Sequence, residues 1–260
     1  MTQDTPPHDT PYVALVTGAG RRIGRAIALG LAQAGWDIAV HYRNSEREAE
    51  ETAQAIRALG RRAALLACDL TDEAAVRALP GRAAEALGRV TCIVNNASLF
   101  EYDSATTFSP ALLSAHMSAN LAAPLLLAQA LHAATPENSQ AVVINLLDQK
   151  LYNLNPDFLS YTLSKAALDT ATRMLAQALA PTVRIVGVAP GITMVSGDQS
   201  EEGFKQAHTV TPLGRSSTPQ DIADAVVYAA SARALTGTTL VVDGGQHLVP
   251  LARDVMFLTK

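Results

Sequence analysis

Thr17-Gly18-Ala19-Gly20-Arg21-Arg22-Ile23-Gly24 links an apolar, β-prone run, Tyr12 to Thr17, to a segment from Ile23 to Ala34 whose apolar residues recur at helical spacing. Glycines in a strand-to-helix connection permit a tight turn. They also let backbone N–H groups approach a pyrophosphate, and the helix N-terminus adds favourable partial charge. A glycine-rich stretch elsewhere would be an ordinary connection. Its place in the first strand–turn–helix unit of an alternating chain gives it meaning.

The alternation continues along the chain. Asp37 to Tyr42, Ala63 to Ala67, Thr91 to Val94, Ala141 to Leu146, Val183 to Val188 and Thr239 to Val242 read as strands. Helices are expected at Glu46 to Leu59, Glu73 to Leu87, Leu112 to Ala134 with a bend at Pro124, Phe158 to Ala180, and Pro219 to Ser231. Strands that are apolar throughout and separated by helices predict an α/β fold with a parallel sheet covered on both faces. Linker-like composition is missing between the units, so residues 12–250 form one domain. The proline-bearing residues 1–11 are expected to be a disordered arm, and 251–260 an apolar tail suited to packing on a neighbouring subunit.

Bulk properties narrow the function. Of the 260 residues, 48% are hydrophobic and 17% charged, which excludes a disordered chain. A net charge of −4 offers no field to gather nucleic acid or anionic membrane. Cys68 and Cys92 lie in apolar stretches without metal-ligand spacing, so no metal is expected, and they read as reduced core thiols. The N-terminus lacks the charge and apolar core of a signal peptide, and no apolar run reaches the roughly 18 residues of a membrane span. A cytoplasmic protein is expected.

The end of the second strand reads His41-Tyr42-Arg43-Asn44-Ser45, with no acid before Glu46; Asp37 is at the strand's other end. A carboxylate here would accept a ribose 2′-OH, whereas an arginine accommodates a 2′-phosphate. The cluster favours NADPH over NADH. Asp69-Leu70 after the third strand suits the adenine edge. Asn95-Asn96-Ala97-Ser98 lies at a strand C-terminus, where ligands bind in open sheets, although either asparagine could instead close a turn. Tyr161 and Lys165, four apart at the start of a long helix, share one face. An ammonium there favours the phenolate of a tyrosine whose free pKa is roughly 10, and such a tyrosine can hand a proton to a substrate atom as hydride arrives beside it.

In this order, Thr17-Gly18 to Gly24, Asp69, Asn95-Asn96-Ala97, Asn120, Tyr161 to Lys165, Pro190-Gly191 and Val242-Asp243-Gly244-Gly245 resemble the short-chain dehydrogenase/reductase family over residues 12–248. The resemblance implies a three-layer Rossmann fold with a seven-stranded sheet, and a homo-oligomer, usually a dimer or tetramer, with a tetramer expected here. It implies that Gly18, Arg21, Arg22 and Ile23 contact cofactor phosphates and that Asn120 holds a proton-relay water. Lys165 would also bind the nicotinamide ribose, Pro190-Gly191 would border the nicotinamide, and Thr193 would lie near its carboxamide. Residues 194–208 correspond to the family's substrate loop.

Two departures are informative. Arg22 replaces the usual middle glycine of the phosphate turn. Thirteen residues before Tyr161, where the family has a catalytic serine, stands Asp148. A serine hydroxyl donates to a carbonyl; an ionised carboxylate only accepts. Asp148 therefore speaks for a ligand offering N–H groups, or for a carboxylic acid kept protonated by burial. Both departures, with His41-Tyr42, Ser45 and Asn96 to Phe100, are similar to the pteridine reductases. That similarity implies a pterin or folate substrate held by Arg22 and Ser98 and stacked on Phe100, with Asp148, Tyr161 and Lys165 as the catalytic set. The plainer readings are a helix-start arginine, a core phenylalanine, and an aspartate that caps the next segment or pairs with Lys150. The alternatives at the level of activity are a carbonyl reductase acting on 3-oxoacyl thioesters or sugars, and a silent NADP(H)-sensing protein.

Overall fold

The first strand, β1 (Val13–Val16), sends Val13 and Leu15 into one hydrophobic core and Ala14 and Val16 into the other. A strand buried on both faces has to be apolar at every position, which is why it reads as a continuous run. In the computed structural model, which describes residues 12–195, 204, 208, 209 and 211–257, the remaining elements follow the expected alternation. They are α1 (Arg22–Gln33), β2 (Asp37–Tyr42), α2 (Glu46–Ala58), β3 (Ala63–Ala67), α3 (Glu73–Leu87), β4 (Val90–Asn95), α4 (Pro110–Met117) and α5 (Ala123–Ala134). After these come β5 (Ala141–Leu146), α6 (Leu159–Ala178), β6 (Val183–Pro190), α7 (Pro219–Ser231) and β7 (Thr239–Val242). The arm at 1–11, residues 196–203 and 205–207 of the substrate loop, and the tail's last three residues lie outside the described residues.

Among the described residues, seven strands make one parallel sheet in the order β3-β2-β1-β4-β5-β6-β7. Helices α1, α2 and α7 cover one face, and α3, α5 and α6 the other. This is the three-layer Rossmann architecture expected from the sequence. The chain runs outward from β1 to β3 and then returns to place β4 on the other side of β1. The carboxyl ends of β1 and β4 therefore flank the point where the winding reverses, which is where open α/β sheets bind ligands. Cys68 and Cys92 are buried and unpaired. Burial pushes the Cys92 thiol up to about 12, so it is an inert core group.

One expectation needs correction. The bend expected at Pro124 is a π-helical turn over Ser118–Ala122, just before the proline, where the Ala123 N–H reaches back to the Ser118 carbonyl. Proline has no N–H for the carbonyl four residues earlier, and the ladder widens there. The stretch Pro110–Ala134 is long and apolar enough to cross a membrane by length and mean hydropathy (1.4), although Ser114, His116, Ser118 and Asn120 interrupt its apolar run. Leu127, Ala128 and Leu131 of this stretch are in the core, so it forms a layer of the sandwich.

Candidate active site

The glycine turn is fixed by its neighbours before any ligand enters. Gly18 has φ +64°, and its N–H donates to His41 Nδ1 at 3.0 Å. Since Nδ1 accepts, Nε2 carries the hydrogen and donates to the Cys68 carbonyl at 3.1 Å. Burial pushes the His41 pKa down to about 4, so the ring is neutral. His41 was expected among the cofactor contacts; both of its nitrogens are occupied in tethering the turn to β2 and β3. Thr17 Oγ1 donates to the Val94 carbonyl (3.2 Å) and receives the N–H groups of Asn96 (2.9 Å) and Ala97 (3.0 Å). Asn96 Nδ2 returns to the Thr17 carbonyl at 2.8 Å. A Cβ on Gly24 would lie 2.1 Å from the Gly18 oxygen and 2.5 Å from Asn96 Nδ2, so only glycine fits.

At the end of β2, Arg43 and Asn44 are exposed, and Ser45 precedes α2 without spending its hydroxyl on a cap bond. Asp69 Oδ1 accepts from Thr71 N (2.9 Å) and Oγ1 (2.8 Å), and these bonds hold its carboxyl below the usual range. Asp37, at the strand's far end, pairs instead with Arg61 (2.8 Å) and Arg62 (2.7 Å). A cavity of about 1210 Å³ runs from Gly18 past Arg43 to Tyr161, large enough for a dinucleotide and a second flat ligand. The glycine cradle, the basic β2 end and this volume fit an NADP-type dinucleotide. Every site residue expected from the sequence lines the cavity except Asn120.

Arg22 adopts φ +54°, a left-handed conformation that favours glycine and costs other residues about 1–2 kcal/mol. Its guanidinium donates to the Val195 carbonyl at 2.7 Å, linking the turn to the start of the substrate loop. Backbone strain retained at a cavity wall points to a role for the side chain.

The opposite end of the cavity is made by side chains. Helix α6 begins after Phe158, also at φ +54°, which cannot cap it. Asp103, buried and 57 residues upstream of Ser160, supplies the cap by accepting from Ser160 N (2.9 Å) and Oγ (2.5 Å). This anchors the first turn, which carries Tyr161. The Tyr161 hydroxyl donates to Asp148 Oδ2 at 2.9 Å, while Asp148 Oδ1 accepts the Lys150 N–H at 2.8 Å. Asp148 therefore both caps the short 3₁₀ turn at Gln149–Tyr152 and meets the tyrosine.

Burial raises the Asp148 carboxyl above the usual carboxylate range. Burial also lifts the Tyr161 phenol well above its ordinary value, and Asp148 adds to that shift. This corrects the expectation that Lys165 favours a phenolate. The Lys165 ammonium bonds the Leu146 carbonyl at 2.7 Å, lies 5.7 Å from the Tyr161 ring centroid, and is lowered to about 8 by burial. At neutral pH the site holds a protonated phenol, a charged lysine and a proton-avid carboxyl.

Asn120 sits behind the wall in the π turn. Its side chain bonds both backbone groups of Leu99 (2.7 and 3.0 Å) and Ser164 Oγ (3.0 Å), clamping the segment before Phe100 to α6. The Phe100 ring stacks on Phe158 (centroids 4.4 Å, 16°) and meets Tyr161 edge-on (4.7 Å). It is 41% exposed, so it is a cavity residue and not a core one.

Sequence reading missed Asp103, Phe158 and Asp254, each of which acts across a long sequence separation. Lys150 was weighed as an ion-pair partner of Asp148; its ammonium pairs with Asp254 instead, and its backbone N–H meets Asp148. The tail, expected to meet a neighbouring subunit, packs on its own chain: Arg253 pairs with Asp157 (2.8 Å), Phe257 stacks over Phe158 (6.0 Å), and Asp254 to Met256 line the cavity.

Residues 18–247 match a family model described as Enoyl-(Acyl carrier protein) reductase. The FolM alternative dihydrofolate reductase 1 of Brucella canis, solved in complex with NADP, is 39% identical with a TM-score of 0.86, covering 92% of this chain and 95% of that one. Its Brucella suis counterpart, also with NADP, is 38% identical with a TM-score of 0.86, covering 94% and 98%. An uncharacterised oxidoreductase of Mycobacterium tuberculosis is 37% identical over 251 residues, covering 90% of this chain and 91% of the relative.

Proposed function

The chain belongs to the short-chain dehydrogenase/reductase family, and from that premise we propose that it reduces a pterin with NADPH, taking a dihydropterin to its tetrahydro form, with dihydrofolate as a related substrate. The carrying observation is the 2.9 Å bond from Tyr161 to Asp148, at the position where the family usually has serine. A serine would donate to a ketone oxygen; a carboxylate cannot, and it suits a heterocycle that offers N–H groups or needs a proton on nitrogen. The likeness to FolM supports the same reading.

When bound, NADPH supplies the hydride to a C=N carbon. The turn at Gly18, Arg21, Arg22 and Ile23 would hold its pyrophosphate, while Arg43, Asn44, Ser45 and the α2 N-terminus would hold the 2′-phosphate. Asp69 and Leu70 would border the adenine, Asn96 and Ala97 the cofactor's middle, Lys165 the nicotinamide ribose, and Pro190, Gly191 and Thr193 the nicotinamide. Phe100, Arg22 and Ser98 would orient the flat pterin ring.

Asp148 and Tyr161 manage the proton. As a carboxylate, Asp148 captures the phenol hydrogen; as a carboxylic acid it donates to the phenol oxygen, freeing the Tyr161 O–H to protonate the ring nitrogen. Activity is therefore present below the Asp148 pKa and lost as pH rises through it. Leu163 and Met174, exposed on one face of α6, support a homo-oligomer, proposed as a tetramer, and the reduced thiols suit the cytoplasm.

The direct test offers the full chain NADPH with a dihydropterin and, separately, with 3-oxoacyl and sugar ketones. NADPH oxidation with the dihydropterin is expected; turnover of ketones alone overturns the reading.

A further inference from the structure

Lys150 is almost fully buried beside the proton-handling pair, and its charge needs a partner there. Its Nζ donates to the Asp157 carbonyl (2.5 Å) and to Asp254 Oδ2 (3.1 Å), while its own backbone N–H donates to Asp148 Oδ1 (2.8 Å). Asp254 belongs to the tail, some hundred residues on, and is held there by bonds of its own segment. The Asp254 N–H donates to Asp157 Oδ2 (2.7 Å), and neighbouring Arg253 makes a two-pronged pair with the same carboxylate (2.8 Å to each oxygen). Asp148, Lys150, Tyr161, Lys165 and Asp254 all line the same cavity.

We propose that Asp254 is a positioning residue for the proposed reaction: by matching the Lys150 ammonium beside Asp148, it keeps the Asp148 carboxyl in the protonated form that frees the Tyr161 O–H. The inference rests on the reading of Asp148 and Tyr161 as the proton-delivering pair, and not on the identity of the heterocycle. The charged and titratable groups around Asp148 set the sign. Tyr161 and Lys165 face it from α6, Lys150 from its own turn and Asp254 from the tail. Glu101 lines the same cavity, and the His116 ring centroid lies 6.4 Å from that of Tyr161. With Asp254 in place, the Lys150 cation is matched. Without that carboxylate, a buried cation two residues from Asp148 favours the ionised carboxylate, and a nearby like charge that disfavours it has gone. Both changes act in one direction. The upward shifts of Asp148 and Tyr161, to which Asp254 contributes, agree with this arrangement.

The test is Asp254→Asn, nearly isosteric and still able to accept from Lys150, compared with wild type and with Asp254→Glu. Carbon-13 NMR of the Asp148 carboxyl, assigned by its loss in Asp148→Asn, reads the first effect in cofactor-free protein. The midpoint is expected to fall by about one pH unit in Asp254→Asn and to return in Asp254→Glu. In turnover with whichever substrate the wild type reduces, the alkaline limb of kcat should move to lower pH by the same amount, with NADPH Kd within about twofold. An unmoved Asp148 midpoint in Asp254→Asn overturns the proposal, as does an equal shift in Asp254→Glu. Failure of the pterin reading would show as ketone turnover and leave the NMR result standing.

Discussion

The two ends of the cavity are built in opposite ways. At the glycine turn the surface is backbone: Gly18 and Gly24 leave room, and Thr17, His41 and Asn96 brace the loop through main-chain atoms. At the tyrosine end the surface is side chain, drawn from the loop after β4, the turn after β5, the start of α6 and the tail. One non-glycine residue in the left-handed region stands at each end, Arg22 and Phe158, both with φ +54°. A backbone site is damaged by adding an atom, whereas a side-chain site is damaged by removing one. The cofactor end and the chemical end should therefore fail separately.

Four variants or conditions test that division. The largest effect is expected for Tyr161→Phe. It should lower kcat by about a thousandfold, within the range for loss of a positioned proton donor, with NADPH Kd changed less than about threefold. Parallel losses in both would erase the distinction.

Next is acid. His41 has a folded pKa pushed down to about 4 against an unperturbed 6.5, so its contribution to stability is complete above pH 6.5 and is lost as pH falls toward 4. Denaturant melts over that window should show a loss on the order of 3 kcal/mol, much reduced in His41→Asn. Equal loss in both proteins would remove His41 as the tether.

Gly24→Ala adds the methyl that the turn cannot house, at 2.1 Å from the Gly18 oxygen. Titration should show NADPH binding weakened tenfold or more, about 1.4 kcal/mol, with the Tyr161–Asp148 end unchanged. The smallest shift is Arg22→Gly, which relieves left-handed strain and should raise stability by about 0.5–1 kcal/mol in thermal melts. The same change should reduce turnover. A variant that is more stable and equally active would show that Arg22 serves no ligand.

The same division explains what could be read from the sequence. The strands, their order of appearance and the glycine turn were legible because each is encoded locally, by an apolar run or a residue whose backbone freedom is needed where it stands. Tyr161 and Lys165 were legible by spacing on one helix face, and Asp148 by standing where a serine was expected. Their electrostatics were not: the sequence pairs Lys165 with Tyr161, but burial and the Asp148 contact outweigh that ammonium. His41 lines the cavity as expected, but its second part, tethering the turn through both ring nitrogens, was hidden because sequence shows the residue and not the orientation of its ring. Asn120 is buried in the π turn and bonded to Leu99 and Ser164, partners that its place in the sequence does not show. Asp103 and Asp254 were invisible because a cap or counter-ion supplied from 57 or 104 residues away leaves no local pattern.

The central claim is that a protonated Asp148 releases the Tyr161 hydrogen to the substrate. The most direct measurement is kcat against pH for wild type and Asp148→Asn, with NADPH and a dihydropterin both saturating. A wild-type rate that falls on the alkaline side, and a variant that is slow and flat across the same range, is the predicted result. An Asp148→Asn enzyme that keeps the wild-type rate and the same alkaline limb would contradict it.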